Sequence, residues 1–177
     1  MKYLVVSDSH GDKAILQKLI TAYAGKVDLM LHCGDSELPA IDEVFKHFKV
    51  VRGNCDYDLE LQDEQFFDRG QDKILLVHGH LLGVGFGLGG LQAKMEELGA
   101  NMAFFGHTHQ LGVEVINGKF ILNPGSISYP RGKFTALGGT FAIVETFASE
   151  NGKRIEVQYY DRKLNAVPEL QVTFNAK

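Results

Sequence analysis

The chain has few cysteines, no long apolar run and no secretion-like start. Its two cysteines, Cys33 and Cys55, form neither a disulfide framework nor a CxxC pair, which favours a reducing, cytoplasmic setting. No window approaches the length of a transmembrane helix, so we expect no membrane insertion. The apolar run from Tyr3 to Val6 is too short for the core of a secretory signal, so export is not expected either.

The charge is mildly acidic and contains no basic run. A formal net charge of −4 gives no reason to expect broad attraction to a nucleic-acid backbone, although a local positive site can still bind a phosphate. Apolar residues make up 45% and charged residues 23% of the chain, as in ordinary soluble globular proteins. A length of 177 residues suits one substantial core, and no repeat or linker divides it, so we expect one domain over 1–177.

The first half of the chain alternates strand and helix patterns. Strand-like runs near 2–7 and 28–32 flank a helix predicted from about Lys13 to Tyr23, whose apolar residues repeat at helical spacing. Asp12 is placed to cap this helix and Gly25 to end it. Further segments follow in the order helix 40–48, strand 49–52, strand 74–77, helix 91–98 and strand 102–105. This alternation predicts a parallel or mixed sheet.

The second half is rich in strand patterns. Runs at 113–116 and 119–122 flank Asn117-Gly118, the strongest short signal for a hairpin. Two longer strands at 139–147 and 154–161 form a second predicted hairpin.

The loop of that second hairpin is predicted from Ser149 to Gly152, and the tail from Pro168 is expected to be a short edge strand or partly mobile. Strand–helix units followed by hairpins predict an α+β fold. Two mixed sheets would pack face to face, with the helices outside.

Polar side chains follow several of these strand patterns, each where an apolar run gives way to glycine or a turn. Open α/β sheets place their active sites at the carboxyl ends of strands. In an extended backbone, residues i and i+2 leave on the same side, so Asp8 with His10, and His107 with His109, can each point at one centre. The candidate metal ligands are Asp8, His10, Asp35, Asn54, His78, His107 and His109.

These side chains form a mixed oxygen and nitrogen donor set, which suits Mn²⁺, Fe²⁺, Zn²⁺, Co²⁺ or Ni²⁺ better than Ca²⁺. Asp35, which follows Cys33-Gly34 at a strand end, is the residue we expect to bridge two cations. A bare centre with two carboxylates would carry a charge of about +2 and attract phosphate. Because metal coordination can lower the pKa of bound water to about 7, the set predicts hydrolysis of phosphate esters.

Five short blocks contain these residues and occur in order over residues 1 to about 130. They are Asp8-Ser9-His10, Gly34-Asp35, Gly53-Asn54-Cys55-Asp56, His78-Gly79-His80 and Gly106-His107-Thr108-His109. Together they resemble the calcineurin-like metallophosphoesterases. The cysteine in the third block is similar to that of the small bacterial and archaeal phosphodiesterases of this superfamily. The resemblance implies a four-layer αββα sandwich and a single metallophosphoesterase domain over 1–177.

The resemblance also implies a dinuclear metal centre in a hydrolase. One ion would be held by Asp8, His10, Asp35 and His109, and the other by Asp35, Asn54, His78 and His107. Manganese is the expected metal, with nickel, iron, zinc and cobalt as alternatives. The implied reaction is attack of a metal-bridging hydroxide on a small phosphate diester, with Asp35 and Asn54 among the catalytic residues.

Two departures from the family pattern affect this expectation. Larger members carry histidine where Cys55 stands, and a thiol lacks the positively charged form that stabilises a leaving group. We therefore expect a preference for substrates with good leaving groups. His80, two residues after His78, can aid the leaving group or be a structural loop residue. The family pattern Gly-Asp-x-x-Asp reads Gly34-Asp35-Ser36-Glu37-Leu38 here, so the second carboxylate is missing or displaced to Glu37.

Other functions stay open at this point. A phosphomonoesterase is the nearest alternative, and a protein-binding scaffold of the same fold, as in membrane-sorting coats, is the alternative outside enzymes. The presence of all seven candidate ligands favours catalysis over a scaffold.

The glycine-rich segment 83–90 allows two interpretations. Its match to GxGxxG lacks the expected acidic residue and the Gly-Lys-Ser/Thr ending, so dinucleotide or P-loop binding is disfavoured. A mobile flap beside the site and an apolar edge for a homo-oligomer both fit the pattern.

Overall fold

The computed structural model describes residues 1–149 and 152–176. Within these residues the chain forms eleven strands and two α-helices. In chain order they are β1 Lys2–Val6, α1 Lys13–Tyr23, β2 Leu29–His32, β3 Phe48–Val50, β4 Glu64–Arg69, β5 Asp72–Val77, α2 Gly89–Leu98, β6 Met102–Phe104, β7 Gly112–Ile116, β8 Lys119–Asn123, β9 Thr140–Ser149, β10 Gly152–Asp161 and β11 Ala166–Ala176.

The strands form two mixed sheets. The six-stranded sheet has the order β11-β10-β9-β1-β2-β3, and the five-stranded sheet has the order β4-β5-β6-β8-β7. In the first sheet β1, β2 and β3 run parallel and β9 to β11 pair antiparallel. In the second sheet β5, β6 and β8 run parallel, with antiparallel strands at both edges. The predicted fold class, α+β with two mixed sheets, is confirmed.

Burial on both faces of β1 shows how the layers are stacked. Tyr3 and Val5 point into a hydrophobic cluster between the two sheets, whereas Leu4 and Val6 point into a second cluster under α1. This alternation follows from the two-residue period of a strand. A third cluster, which includes Met95 of α2, covers the outer face of the five-stranded sheet. Two helices therefore enclose two sheets in the four-layer arrangement that the sequence predicts.

Helix α1 has the predicted bounds and start. The side chain of Asp12 accepts a hydrogen bond from the backbone N–H of Ile15 at 3.1 Å, as in an N-terminal cap. Ile15, Leu16 and Leu19 are buried against the six-stranded sheet. The apolar face thus fixes the helix on the sheet, directly after the first candidate ligand block.

The prediction of a helix over 40–48 is wrong. Only a single 3₁₀ turn forms, at Glu43–Lys46, and β3 begins at Phe48. Asp42 caps the turn by accepting a hydrogen bond from the N–H of Val44 at 3.1 Å. The cap and the strand leave too few residues between them for an α-helix.

One strand has no predicted counterpart, and the tail forms a longer strand than expected. Strand β4 combines two phenylalanines with charged and amide residues in the sequence EQFFDR, which shows no apolar alternation. The tail is an edge strand, as predicted, but it is not short: β11 has eleven residues, and Leu170, Val172 and Phe174 pack on the inter-sheet cluster. The hairpin loop predicted from Ser149 to Gly152 includes Glu150 and Asn151, which lie outside the described residues.

Neither α-helix in the described ranges is long and apolar enough to span a lipid bilayer.

A buried polar network lies at the amino-terminal ends of β1 and β5. The Asp72 carboxylate accepts hydrogen bonds from the Tyr3 hydroxyl at 2.7 Å, from the Lys153 ammonium at 2.9 Å and from the Thr146 hydroxyl. Burial raises the pKa of Asp72, but the bonds from Thr146, Lys153 and Tyr3 outweigh it and bring the pKa below its ordinary value. The network ties one sheet to the other at this end.

Replacing Lys153 by methionine removes the cation from this network. Because Asp72 and Lys153 are both buried, we expect the free energy of unfolding at pH 7 to fall by about 3 kcal/mol, as for other broken buried pairs. Urea denaturation measures this free energy of unfolding. The matched control is Lys49→Met, an exposed lysine on β3, with an expected change within about 0.5 kcal/mol.

The same comparison has a predictable pH dependence. The folded-state pKa of Asp72 is depressed, so its stabilisation is present above the unfolded value of about 3.9 and is lost as pH falls through the folded value. The difference in the free energy of unfolding between wild type and Lys153→Met should therefore become smaller below about pH 4. If Lys153→Met and Lys49→Met lost equal free energy of unfolding at pH 7, the role given to Asp72 would be contradicted.

Candidate metal centre

All seven candidate ligands lie in loops at the carboxyl ends of parallel strands. The loops after β1, β2 and β3 of the six-stranded sheet carry Asp8, His10, Asp35 and Asn54, and the loops after β5 and β6 of the five-stranded sheet carry His78, His107 and His109. The two sheets face each other, so their loops meet at one end of the sandwich. This is the place that the strand-end pattern predicts.

Four of the side chains form a first donor group. The ligand atoms of Asp8, His10, Asp35 and His109 all lie within 4.8 Å of one another. Nε2 of His109 is 3.3 Å from Nε2 of His10 and 3.2 Å from Oδ1 of Asp8. Two atoms bound to one ion at about 2.1 Å lie roughly 3.0–3.4 Å apart. The spacing therefore matches a coordination sphere.

A second donor group adjoins the first and shares Asp35 with it. Oδ1 of Asn54 is 3.1 Å from Nε2 of His78 and 2.8 Å from Nδ1 of His107. Oδ2 of Asp35 is 3.3 Å from Nε2 of His78. Asp35 thus lies between the two groups, where the sequence predicts a bridging carboxylate.

Two of the histidines are held so that an acceptor nitrogen faces other acceptors. Nδ1 of His78 donates to the carbonyl of Cys33 at 2.8 Å, and Nδ1 of His109 donates to the carbonyl of Tyr129 at 2.7 Å. In a neutral ring, Nε2 then carries a lone pair. That lone pair points at carboxylate or amide oxygens. Only a cation between these atoms, a proton or a metal ion, makes the contact favourable.

The electrostatic field of the site favours that cation. Burial lowers the pKa of His78, but the hydrogen bond to Asp35 and the charge of Asp8 outweigh it, so the net shift is upward. The hydrogen bond to Asp8 raises the pKa of His109. Burial raises the pKa of Asp35, but the contact with His78 holds it well below its usual range. Asp35 is therefore ionised at neutral pH and available as a ligand.

The Asp8 carboxylate gives a test of whether a metal fits. It is fully buried, and neither oxygen has a hydrogen bond of ordinary geometry within the described chain; Oδ1 has only the 3.2 Å approach to His109. A buried charge without such partners is unfavourable unless it binds a cation. The oxygen and nitrogen donors at these separations fit divalent transition-metal ions.

The backbone that presents the pairs is not extended, so the geometric reason given for their convergence was wrong. Six non-glycine residues of the site have left-handed φ angles: Asp8 54°, His10 45°, Asp35 53°, Glu37 54°, His107 66° and His109 59°. Each such residue is strained by roughly 1–3 kcal/mol, and such strain concentrates at functional sites. Tight turns, rather than strand alternation, aim each pair at the centre.

Two glycines allow the loops to approach this closely. A Cβ at Gly53 would lie 2.0 Å from Oδ1 of Asp35. A Cβ at Gly106 would lie 2.0 Å from the Ser7 hydroxyl and 2.7 Å from Oδ2 of Asp8. Any side chain at either position would displace a candidate ligand.

Asp56 fixes the loop that carries Asp35. Its carboxylate accepts hydrogen bonds from the backbone N–H groups of Asp35 at 2.8 Å, Gly53 at 2.7 Å and Glu37 at 2.7 Å, and from the Ser36 hydroxyl at 3.0 Å. In the sequence, Asp56 stands out only as the last residue of the block Gly53-Asn54-Cys55-Asp56. Its role in holding the Asp35 turn was not predicted, because its partners are backbone groups of another loop.

The segment Asn123-Pro124-Gly125-Ser126 supports the site from the other side. The Ser126 hydroxyl donates to the carbonyl of Asp8 at 2.9 Å, and Nδ2 of Asn123 donates to the carbonyl of Gly106 at 2.9 Å. Both bonds brace loops that carry candidate ligands.

His32 stabilises the same end of the sandwich. Nδ1 of His32 accepts from the N–H of Gly34, so Nε2 donates to the hydroxyl of Ser9 at 2.9 Å. Burial lowers the pKa of His32 to about 4, so the ring is neutral. Since the ring donates to the serine, it does not act as a base toward it.

Cys55 and His80 are the two candidate catalytic residues outside the ligand set. Sγ of Cys55 lies near both donor groups, 3.2 Å from Nδ2 of Asn54 and within 4.8 Å of a ring nitrogen of His10. Burial and the charge of Asp35 raise the pKa of the Cys55 thiol to about 11, so it is protonated at neutral pH. The ring of His80 lies 5.3 Å from that of His78 and 6.2 Å from that of His107, centroid to centroid. Burial and the neighbouring imidazoles lower the pKa of His80, so it is neutral.

The glycine-rich segment 83–90 is packed against the outer layer. Val84 is buried, and Leu82 and Leu88 pack on the cluster under α2. Phe86 is fully exposed. The packing favours a fixed loop with one projecting aromatic ring over a free flap.

Comparisons with known proteins agree with this geometry. A model of the calcineurin-like phosphoesterase superfamily domain matches residues 1–149. The probable metallophosphoesterase YsnB of Bacillus subtilis is 41% identical over 171 residues, which cover 97% of each chain. Phosphodiesterase YfcE of Escherichia coli is 27% identical over 158 residues, covering 75% of this chain and 82% of YfcE.

A solved structure agrees as well. The crystal structure of a predicted phosphoesterase from Streptococcus pneumoniae TIGR4 superposes with a TM-score of 0.92 at 33% identity, covering 98% of this chain and 97% of that one. The chain therefore belongs to the calcineurin-like phosphoesterase superfamily, as a metallophosphoesterase.

Proposed function

We propose that this chain hydrolyses phosphodiesters with two divalent metal ions. The observation that carries the proposal is the pair of donor groups that share Asp35, each with acceptor atoms about 3 Å apart and matching the spacing around one ion. Asp8, His10, Asp35 and His109 would hold the first ion, and Asp35, Asn54, His78 and His107 the second. Manganese is the expected metal, with nickel, iron, zinc and cobalt as alternatives.

When bound, two such ions supply an activated water and neutralise charge on the phosphoryl oxygens. The chain's own residues prepare the site for this. Asp35 holds a fixed orientation because Oδ1 accepts the N–H of Cys55 at 2.7 Å and Oδ2 faces His78. Oδ1 of Asn54 lies between the two rings, 3.1 Å from Nε2 of His78 and 2.8 Å from Nδ1 of His107. Little rearrangement is then needed when ions and substrate bind.

The diester preference rests on Cys55. Its thiol is protonated at neutral pH, because its pKa is raised to about 11, and it is a weak hydrogen-bond donor that cannot supply a positive charge. A dianionic monoester would need more charge stabilisation than a diester. The name of the YfcE relative supports the same preference. His80 lies beside the rings of His78 and His107 and carries no charge at neutral pH.

A protein-binding scaffold of the same fold is the alternative outside enzymes. It would have no use for a buried carboxylate without an ordinary hydrogen bond or for six strained backbone positions, which both oppose folding. Failure to hydrolyse phosphate esters with any divalent metal, together with tight capture of a protein partner, would favour it.

The first test is hydrolysis of bis(p-nitrophenyl) phosphate in the presence of Mn²⁺. Release of nitrophenolate is expected for the wild type, and kcat/KM should fall at least about 100-fold in Asp35→Asn and His107→Ala, because loss of a ligand is more severe than loss of its support. The control His47→Ala, an exposed histidine, should stay within about twofold. Full activity in both ligand variants would refute the assignment.

The second test concerns the leaving group. We expect kcat/KM to fall by about 100-fold or more between p-nitrophenyl and phenyl diesters, because no cationic acid assists departure. Cys55→His should recover at least about 10-fold of that loss on the phenyl ester.

Cys55→Ser serves as the control, since a hydroxyl is as uncharged as the thiol. Its kcat/KM should depend on the leaving group as in the wild type. If the wild-type kcat/KM did not depend on the leaving group, another group, with His80 as the first candidate, would protonate the leaving group. p-Nitrophenyl phosphate, assayed in parallel, distinguishes a monoesterase.

A further inference from the structure

His10 and Glu37 form a contact that the ligand set does not require. Nδ1 of His10 lies 2.7 Å from Oε1 of Glu37. The His10 side chain is 10% exposed and that of Glu37 is 40% exposed. The other ring nitrogen of His10, Nε2, faces the first donor group. The contact therefore holds the ring from the side opposite the proposed metal ion.

The same arrangement occurs at two other histidines, with a different kind of acceptor. Nδ1 of His78 and Nδ1 of His109 each donate to a backbone carbonyl. At His10 the acceptor is a carboxylate. A carboxylate holds the proton on Nδ1 and also raises the electron density of the ring, which strengthens Nε2 as a ligand.

Glu37 is presented by the turn that carries Asp35. Its φ angle of 54° is left-handed, like that of Asp35 at 53°. Its backbone N–H donates to Asp56 at 2.7 Å. The same turn thus places the Asp35 carboxylate in the site and the Glu37 carboxylate against Nδ1 of His10. Because Asp56 holds the backbone, changing the Glu37 side chain leaves the position of Asp35 anchored.

We propose that Glu37 is a positioning residue for the first metal ion, acting through His10; this rests on the proposed dinuclear site. It fixes the ring orientation and keeps the proton on Nδ1, so that the lone pair of Nε2 points at the ion. The carboxylate that the family pattern places three residues after Asp35 is absent here, and Glu37 serves a different histidine from another position in the turn.

Three variants separate this role from general stability. Glu37→Leu removes the acceptor, Glu37→Gln keeps a neutral acceptor of similar shape, and Glu114→Leu removes an exposed glutamate on β7. Isothermal titration with Mn²⁺ should show two ions bound to the wild type. In Glu37→Leu one of the two affinities should fall about 10- to 100-fold, with partial recovery in Glu37→Gln and no change in Glu114→Leu.

A second measurement does not need the metal. Long-range ¹H–¹⁵N NMR of the metal-free protein at pH 8.5 reports which nitrogen of each neutral imidazole carries the proton. We expect Nδ1–H for His10 in the wild type and in Glu37→Gln, and a shift toward Nε2–H in Glu37→Leu. His78 and His109 are internal controls, because their backbone acceptors are unchanged.

The outcomes separate the two proposals. Unchanged Mn²⁺ affinities in Glu37→Leu, or an unchanged His10 tautomer, would overturn the role of Glu37. A third bound ion lost in Glu37→Leu would also overturn it, because His10, Glu37 and Cys55 would then form a cation site of their own. No Mn²⁺ binding by the wild type, together with the expected tautomer change, would overturn the dinuclear site and leave the His10–Glu37 contact standing as structural.

Discussion

The site depends on lone pairs of histidine nitrogens and carboxylate oxygens that the fold holds facing one another. Histidine nitrogens and carboxylate oxygens meet at separations near 3 Å, with the outer nitrogens of His78 and His109 tied to backbone carbonyls. Those ties prevent the rings from turning away. The repulsion can be relieved only by positive charge, which is why we infer metal ions rather than a set of ordinary hydrogen bonds.

The rest of the fold holds this arrangement in place. Parallel strands from two sheets end at the same edge, and left-handed turns after β1, β2 and β6 aim their side chains inward. Such turns do not persist without outside support. Asp56 supports the turn of Asp35, and Ser126 and Asn123 support the turns of Asp8 and His107. The strained turns and the hydrogen bonds that support them therefore occur together around the site.

Sequence pattern was sufficient where a local signal had one physical meaning. The cap at Asp12, the apolar face of α1 and the hairpin at Asn117-Gly118 all appear as predicted. The candidate ligands come together because strand ends in an α/β arrangement converge, whatever the loop conformation. Because this convergence follows from the topology, it was predicted correctly even though the loops are not extended.

Sequence pattern failed where the outcome depends on a distant partner. The segment 40–48 has helical spacing, but the start of β3 limits it to a 3₁₀ turn. Strand β4 pairs along its whole length with β5, a partner that the sequence of β4 alone does not reveal. The contact between His10 and Glu37 joins residues from two different loops. A single sequence without structure contains no signal for such pairs.

The two sheets contribute different donors, and the hydrophobic layer between them helps to set the distance that separates these donors. The carboxylates and Asn54 come from one sheet and three of the histidines from the other, while Tyr3 and Phe104 lie in the packing between. A conservative exchange deep in that layer would shift one sheet against the other and change the spacing between donors that come from opposite sheets. The size of the cation that these donors fit can therefore change through substitutions of apolar residues that contact none of the donors.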